Sequence, residues 1–234
     1  MALPEIVSRN EWLAARRTLL EEEKEARRRL DRINADRRRL PMVKIDKPYR
    51  FQGPSGEASL ADLFEGRPQL IVQHVMFDPS WDDACPSCSA SIDEIAPALL
   101  RHLAARRTTF ALVSRAPYDK IAGYKERRGW HVPWYSSFGD DFNFDFDVSF
   151  DESVKQPVYN YRSLPVVSSP ELPGFSCFLT EGDEIYHTYS TFARGTDFGG
   201  AYALLDLTAL GRQEQWEEPK DRVPDARDAV PDFA

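Results

Sequence analysis

The sequence is poor in cysteine, short of long apolar runs and without any excess of positive charge. Three cysteines in 234 residues, with Cys177 far from the other two, do not make the disulfide framework of an extracellular domain. No stretch is long enough to span a bilayer. The start, Met1-Ala2-Leu3-Pro4-Glu5, lacks the basic and apolar regions of a secretion signal, so a cytoplasmic protein with no membrane partner is expected. Lysine and arginine number 30 against 38 aspartates and glutamates, a formal net charge of −8, which argues against nucleic acid or anionic lipid as a partner. Internal repeats are absent as well. What is present is globular in composition, 42% hydrophobic and 29% charged, in a chain long enough to bury a core without staples.

The chemistry is concentrated in Cys85-Pro86-Ser87-Cys88. Before it lies an apolar run, Leu70 to Phe77, and after it a helical pattern of Ile92, Ile95, Ala96, Leu99, Leu100 and Leu103. A cysteine at a helix N-terminus meets unpaired N–H groups and the positive end of the helix dipole, which stabilise its thiolate. Cys85 is therefore the candidate nucleophile. Cys88, one turn further in, is placed to resolve a mixed disulfide by attacking the sulfur of Cys85. The plainer readings are half of a metal site or two inert buried thiols; the βαβ surroundings favour redox chemistry. No second Cys-x-x-Cys or His-x-x-x-His accompanies the pair, so neither a metal nor another cofactor is expected.

Around this stretch the chain divides into an N-terminal charged helical arm (1–40), a domain (41–213) with an insertion at about 130–174, and a C-terminal tail (214–234). In the arm, helix formers prevail from about Glu5 to Leu40, with Glu23–Arg27 and Glu25–Arg29 spaced as favourable pairs. Trp12, Leu19, Ala26, Ile33 and Leu40 recur every seventh residue, but charged Arg16, Glu23 and Arg37 narrow the apolar stripe. Such a helix either lies on its own domain or packs on a second subunit, joining a homodimer. Tyr49 to Phe64 predicts an extended piece, a hairpin and a short helix; Thr108–Val113 a strand; Tyr118–Arg128 a helix; Pro133–Ser137 a short strand; Phe175–Leu179 and Ile185–Tyr189 a hairpin. A last helix is expected within 198–207. The insertion reads largely as a long ordered loop rich in aromatics. Its Asp141, Asp145 and Asp147 lack the glycine and closing glutamate of a calcium loop.

The element order β-α-β-α-insertion-β-β-α resembles a thioredoxin fold, an α/β architecture with a central mixed sheet flanked by helices. Ile95-Ala96-Pro97 resembles the segment that kinks the thioredoxin active-site helix. Trp81 with Cys85-Pro-Ser-Cys88, Ser114-Arg115-Ala116-Pro117, Gly129-Trp130, Asp141-Phe142-Asn143 and His187-Thr188-Tyr189-Ser190 with Arg194-Gly195 and Asp197 resemble the bacterial thioredoxin-like family of unknown function DUF 899, predicted dithiol–disulfide oxidoreductases. That resemblance covers most of the chain. It implies a thiol or disulfide substrate, protein or small molecule, and a separate reductant. The sequence departs from thioredoxins in three places. Ala84 replaces the tryptophan before the first cysteine. His74 and Met76 stand on the strand where thioredoxins bury an aspartate, so proton transfer at Cys88 needs another group. Gly174, with Pro173 one residue early, falls where thioredoxins carry a cis-proline.

Beside the cysteines, Pro86, Ser87, Trp81, Arg115, Pro173 and Gly174 are the candidate supporting residues. Arg115, at the C-terminal edge of the sheet, either favours the Cys85 thiolate against Asp82 and Asp83 or fixes its loop by a salt bridge. Trp81 is taken as a wall beside the thiols. His187, Tyr189, Arg194 and Asp197 are expected to form a network locking the last strand, with His102 and His131 at the surface and Cys177 in the core. Three functions stay open: a dithiol oxidoreductase, a peroxiredoxin-like thiol peroxidase, to which the middle segment is similar, and a non-catalytic scaffold.

Overall fold

The computed structural model describes residues 4–193. Arg194, Asp197, the helix expected within 198–207 and the tail lie outside the described residues. Residues up to Pro41 and those from Met42 to 193 belong to different compact units.

Helix α1 runs Arg9–Arg37, shorter at both ends than charge and propensity suggest. Its start is set by Ser8. The Glu11 N–H donates to Ser8 Oγ (3.3 Å) and the Ser8 N–H donates to Glu11 Oε2 (2.9 Å), a reciprocal cap. Glu23 pairs back with Arg16 (2.8 Å) instead of forward with Arg27, and Lys24 holds Glu21 (2.9 Å). No residue of the helix is buried, and Trp12, Leu19 and Ile33 stay 44–49% exposed.

The second unit is built on eight strands: β1 (Val43–Lys44), β2 (Arg50–Gly53), β3 (Gly56–Ser59), β4 (Gln69–His74), β5 (Thr108–Ser114), β6 (Trp134–Ser136), β9 (Gly174–Glu181) and β10 (Glu184–Phe192), with β7 (Val158–Tyr159) and β8 (Arg162–Ser163) forming a separate small hairpin. Their order is β1-β10-β9-β4-β5-β6-β2-β3. β4, β5 and β6 are parallel, whereas β9 runs antiparallel to β4 and β10 antiparallel to β9. This mixed sheet, with β4 central and helices after β4 and β5, is the thioredoxin-like arrangement. At β10 the register shifts between His187 and Tyr189, a bulge.

One expected helix is two. The pattern from Pro86 to Leu103 splits into α2 (Pro86–Asp93) and α3 (Pro97–Ala105). Ala96 is extended (φ −65°, ψ 147°), because the proline ring after it disfavours helical backbone and Pro97 cannot donate to the preceding turn. In place of a kink, the chain breaks and restarts with proline at the first helical position. α4 (Tyr118–Arg128) ends at Gly129, whose φ of 66° is left-handed and suits glycine.

Two cores sandwich the sheet. On one side Leu70, Val72, Ala111, Val113 and Phe178 meet Tyr49, Phe51, Leu63, Phe64, Phe142 and Phe146. On the other, Val75, Leu112 and Trp134 meet Cys88 and Ile92 of α2, and Ile121 and Tyr124 of α4. The insertion is largely the ordered loop expected, punctuated by a short helix, α5 (Phe142–Asp145), whose first residue, Phe142, is fully buried. Asp141 and Asp145 serve Lys47 (2.8 and 2.7 Å), and Asp147 serves Lys155 (2.6 Å). Among the described residues no three acidic, histidine or cysteine side chains cluster as a metal site.

Candidate functional site

Cys85 is the N-cap of α2, with Pro86 opening the helix. Its carbonyl accepts the first helical bond from the Ser89 N–H (2.9 Å) and a second from Ser89 Oγ (3.0 Å), whose hydroxyl also meets Tyr124 (2.9 Å). The Cys85 N–H donates to the Met76 carbonyl (2.9 Å), tying the cap to the chain leaving β4. The loop before it is clamped from α4: Lys120 Nζ donates to the carbonyls of Pro79 and Trp81 (both 2.9 Å), and Arg127 pairs with Asp83 (2.6 Å).

The two thiols, both reduced, are pushed apart in acidity. Cys85 is half-buried and its pKa falls to about 6, first because the Cys88 thiol donates to its sulfur and then because the Ser87 and Cys88 N–H groups and the Ser87 hydroxyl add to that bond. Cys88 is 6% exposed and its thiol is raised well above the ordinary range by holding its proton toward Cys85 and by burial. Opposed acidities on neighbouring thiols divide the roles: one is a thiolate near neutral pH, the other a proton-bearing reserve.

Pro86 and Ser87 therefore flank the sulfur directly, Pro86 in the first turn and Ser87 as a donor. Trp81 packs half-buried against the cluster around Cys88. Arg115 is engaged elsewhere: its Nη1 lies 3.2 Å from Glu171 and 3.8 Å from Asp78, and its guanidinium covers the Phe144 ring at 4.5 Å. The lowering at Cys85 comes from hydrogen bonds and not from that cation. The Pro173 carbonyl accepts from the Tyr159 hydroxyl (2.7 Å). Gly174 pairs with His74, and a Cβ there would meet Val148 at 2.9 Å and Phe192 at 3.1 Å. The missing side chain makes room for the protein's own packing.

Glu171 escapes a reading of the sequence. It is 1% exposed, accepts from Ser149 Oγ (2.8 Å) and from Arg115, and burial pushes its pKa up to about 8. Its partners lie 22 and 56 positions away, and a lone glutamate between Pro170 and Pro173 carries no periodic signal. Its setting just before the strand facing the cysteines is the one clue the sequence holds.

Arg194 and Asp197 of the expected network lie outside the described residues, and His187 takes part in a different chain of hydrogen bonds that runs inward. His187 Nε2 meets Ser190 Oγ (2.8 Å), Ser190 meets Ser176 (2.8 Å), and Ser176 meets His74 Nε2 (2.9 Å). His74 stacks near Phe146 and its other nitrogen has no hydrogen-bond partner. His102 and His131 are exposed, and Cys177 is half-buried in β9. No helix among the described residues is long and apolar enough to cross a membrane.

Residues 1–228 match the family described as "Bacterial protein of unknown function (DUF899)", and the chain belongs to it. A search of curated proteins found no match. Among solved structures it is similar to peroxidoxin BcpB from Mycobacterium tuberculosis (13% identity, 66% of this chain and 86% of that one, TM-score 0.48). It is also similar to peroxiredoxin Q from Xanthomonas campestris (17%, 65% and 84%, 0.43) and to the reduced 2-Cys peroxiredoxin of Plasmodium vivax (15%, 66% and 82%, 0.41).

Proposed function

We propose that this member of the DUF899 family is a dithiol–disulfide oxidoreductase, with Cys85 as nucleophile and Cys88 as resolving thiol. The observation that carries this reading is the placement of the pair: a half-exposed Cys85 is the N-cap of α2 and a buried Cys88 one turn further in donates to its sulfur, which favours a thiolate on the first and a proton on the second. Cys85 attacks a substrate disulfide, releases one substrate thiol and holds the other half as a mixed disulfide. Cys88 then attacks Cys85 and frees the rest, leaving the internal Cys85–Cys88 disulfide for a separate reductant. A Cys-x-x-Cys pair at the start of a helix brings the sulfurs within bonding reach after modest rotation.

Trapping tests the assignment. Cys88→Ser should hold a disulfide substrate as a stable mixed disulfide seen by mass, and Cys85→Ser should hold none. The reverse pattern would exchange the roles. A pair that never loses two thiols under mild oxidants would end the oxidoreductase reading, and fast sulfenic acid formation at Cys85 with peroxide, without a disulfide, would replace it by a peroxidase.

A further inference from the structure

Resolution of the mixed disulfide makes a demand that the two cysteines cannot meet alone. Cys88 must attack as a thiolate, yet it is the thiol that keeps its proton, buried at 6% exposure and donating to Cys85. Once Cys85 is bonded to substrate, its sulfur is no longer an anion able to hold that proton. A second acceptor is needed inside the protein, since bulk water does not reach the thiol freely.

The backbone brings one carboxylate to this place. His74 and Gly174 are partners across the β4–β9 ladder, and these strands are antiparallel. From that pair, residues 75–76 and, read backwards, residues 173–171 leave the sheet on the same side. The first segment meets both cysteines: the Met76 carbonyl accepts from Cys85, and its N–H donates to the Cys88 sulfur. The second ends on Glu171, held in place by backbone bonds on both sides, Phe150 N–H to the Pro170 carbonyl and Leu172 N–H to the Val148 carbonyl (2.9 Å each). The charge of Glu171 acts on Cys88, disfavouring its thiolate. Conversely, a protonated Glu171 removes that opposition.

The other polar groups nearby are unsuited. Arg115 has no acceptor capacity. Asp78 Oδ1 already accepts from the Ser80 N–H and hydroxyl (2.9 and 2.6 Å), and of the two carboxylates beside Arg115 it is Glu171 whose charge acts on Cys88. The Tyr159 hydroxyl is committed to the Pro173 carbonyl and the Ala193 N–H (2.7 and 2.8 Å). The His74 ring lies in the aromatic core of the opposite face, against Phe142 and Phe146. Glu171 has lone pairs left over after Ser149 and Arg115, and the charged groups facing it are Arg115 and Asp78.

We propose that Glu171 is the proton acceptor and donor for Cys88 in thiol–disulfide exchange, a role that rests on the dithiol reading above. With Cys85 bonded to a substrate sulfur, the Cys88 proton passes to the Glu171 carboxylate across one hydrogen bond or one water. The sulfur electron pair attacks Cys85 Sγ, the Cys85–Cys88 bond forms, and the bond to substrate breaks. The substrate leaves with two electrons as a thiolate and takes its proton from solvent. When a reductant later opens the internal disulfide, Cys88 departs as a thiolate and Glu171 returns the proton. Burial that lifts the carboxyl to about 8 makes it able to hold and release a proton near neutral pH.

The test uses 5,5′-dithiobis(2-nitrobenzoate) on the reduced full chain in a Cys177→Ala background. Attack by Cys85 releases a first coloured thiolate, and resolution by Cys88 releases a second, so the two steps are read separately. Glu171→Gln should leave the first phase within about twofold and slow the second by at least about tenfold, in line with the size of general-base effects. The wild-type second phase should rise with pH as Glu171 ionises and level off above about 8, an inflection lost in Glu171→Gln and kept, shifted, in Glu171→Asp. A second phase unchanged by Glu171→Gln, or a wild-type profile flat through that range, overturns the proposal while the dithiol reading stands. Absence of any second phase in the wild type overturns both.

Discussion

Replacing Cys88 by alanine removes the S–H that the Cys85 sulfur accepts, the largest cause of its lowered pKa. The thiolate then keeps only the N–H groups of residues 87 and 88 and the Ser87 hydroxyl, so the pKa of Cys85 should climb from about 6 toward the ordinary value of 9.0. The pH dependence of alkylation by iodoacetamide measures it: the midpoint should move up by more than about one unit, and an unmoved midpoint would place the lowering on the helix N-terminus alone. The placement of the two cysteines was legible in sequence because spacing alone puts residue 88 one turn after a helix cap. Arg115 was legible as a residue at the correct sheet edge but not as a partner of Glu171, since that pairing is fixed by the return of the chain through the insertion.

Among elements, α1 has the widest gap between what it offers and what is covered. Its capping box and helix formers make it helical by local rules, and its apolar stripe, Trp12, Leu19 and Ile33, remains 44–49% exposed. The expectation that this stripe joins two subunits predicts a full-length dimer in equilibrium sedimentation at tens of micromolar, converted to monomer by Leu19→Glu with Ile33→Glu. A monomeric wild type, or a dimer indifferent to both charges, removes the arm from assembly. The longer strands and α4 were read within a few residues from apolar runs and turn residues, whereas β1 and the small β7–β8 hairpin, two residues a strand, carry too little pattern to be seen. The break at Ala96 was not, because Pro97 is compatible both with a kink and with a fresh first turn, and the choice between them depends on how α3 docks on β5. Likewise Phe142 and Phe146, alternating with aspartates, look like loop residues until Tyr49, Phe51 and Phe178 close around them.

At the scale of the whole molecule, the buried histidine ties stability to acidity. His74 is 1% exposed and burial holds its pKa near 3, against an ordinary value of 6.5. Between those values the unfolded chain binds the proton and the folded one does not, so stability is complete above about 6.5 and drains away as pH falls. The gap in unfolding free energy between wild type and His74→Phe, followed by urea titration, should change across that window by up to ~1.4 kcal/mol per pH unit. A gap independent of pH would mean that His74 protonates in place. The parallel centre of the sheet was foreseeable from alternating elements, whereas the internal side-chain chain from His74 to His187 was not, because it depends on one irregularity. In a regular strand, residues three apart point to opposite faces, yet His187 and Ser190 touch at 2.8 Å. The bulge between His187 and Tyr189 makes this possible by slipping one extra residue into β10. That slip acts as a half-turn key: excise Thr188 and the ladder becomes regular with the same partners and the same facing, but keep it and pair it in a regular ladder and everything beyond it flips, turning Ser190 and Phe192 outward and Tyr189 and Thr191 in. One surplus residue at the rim thus decides which way the end of the sheet is wound.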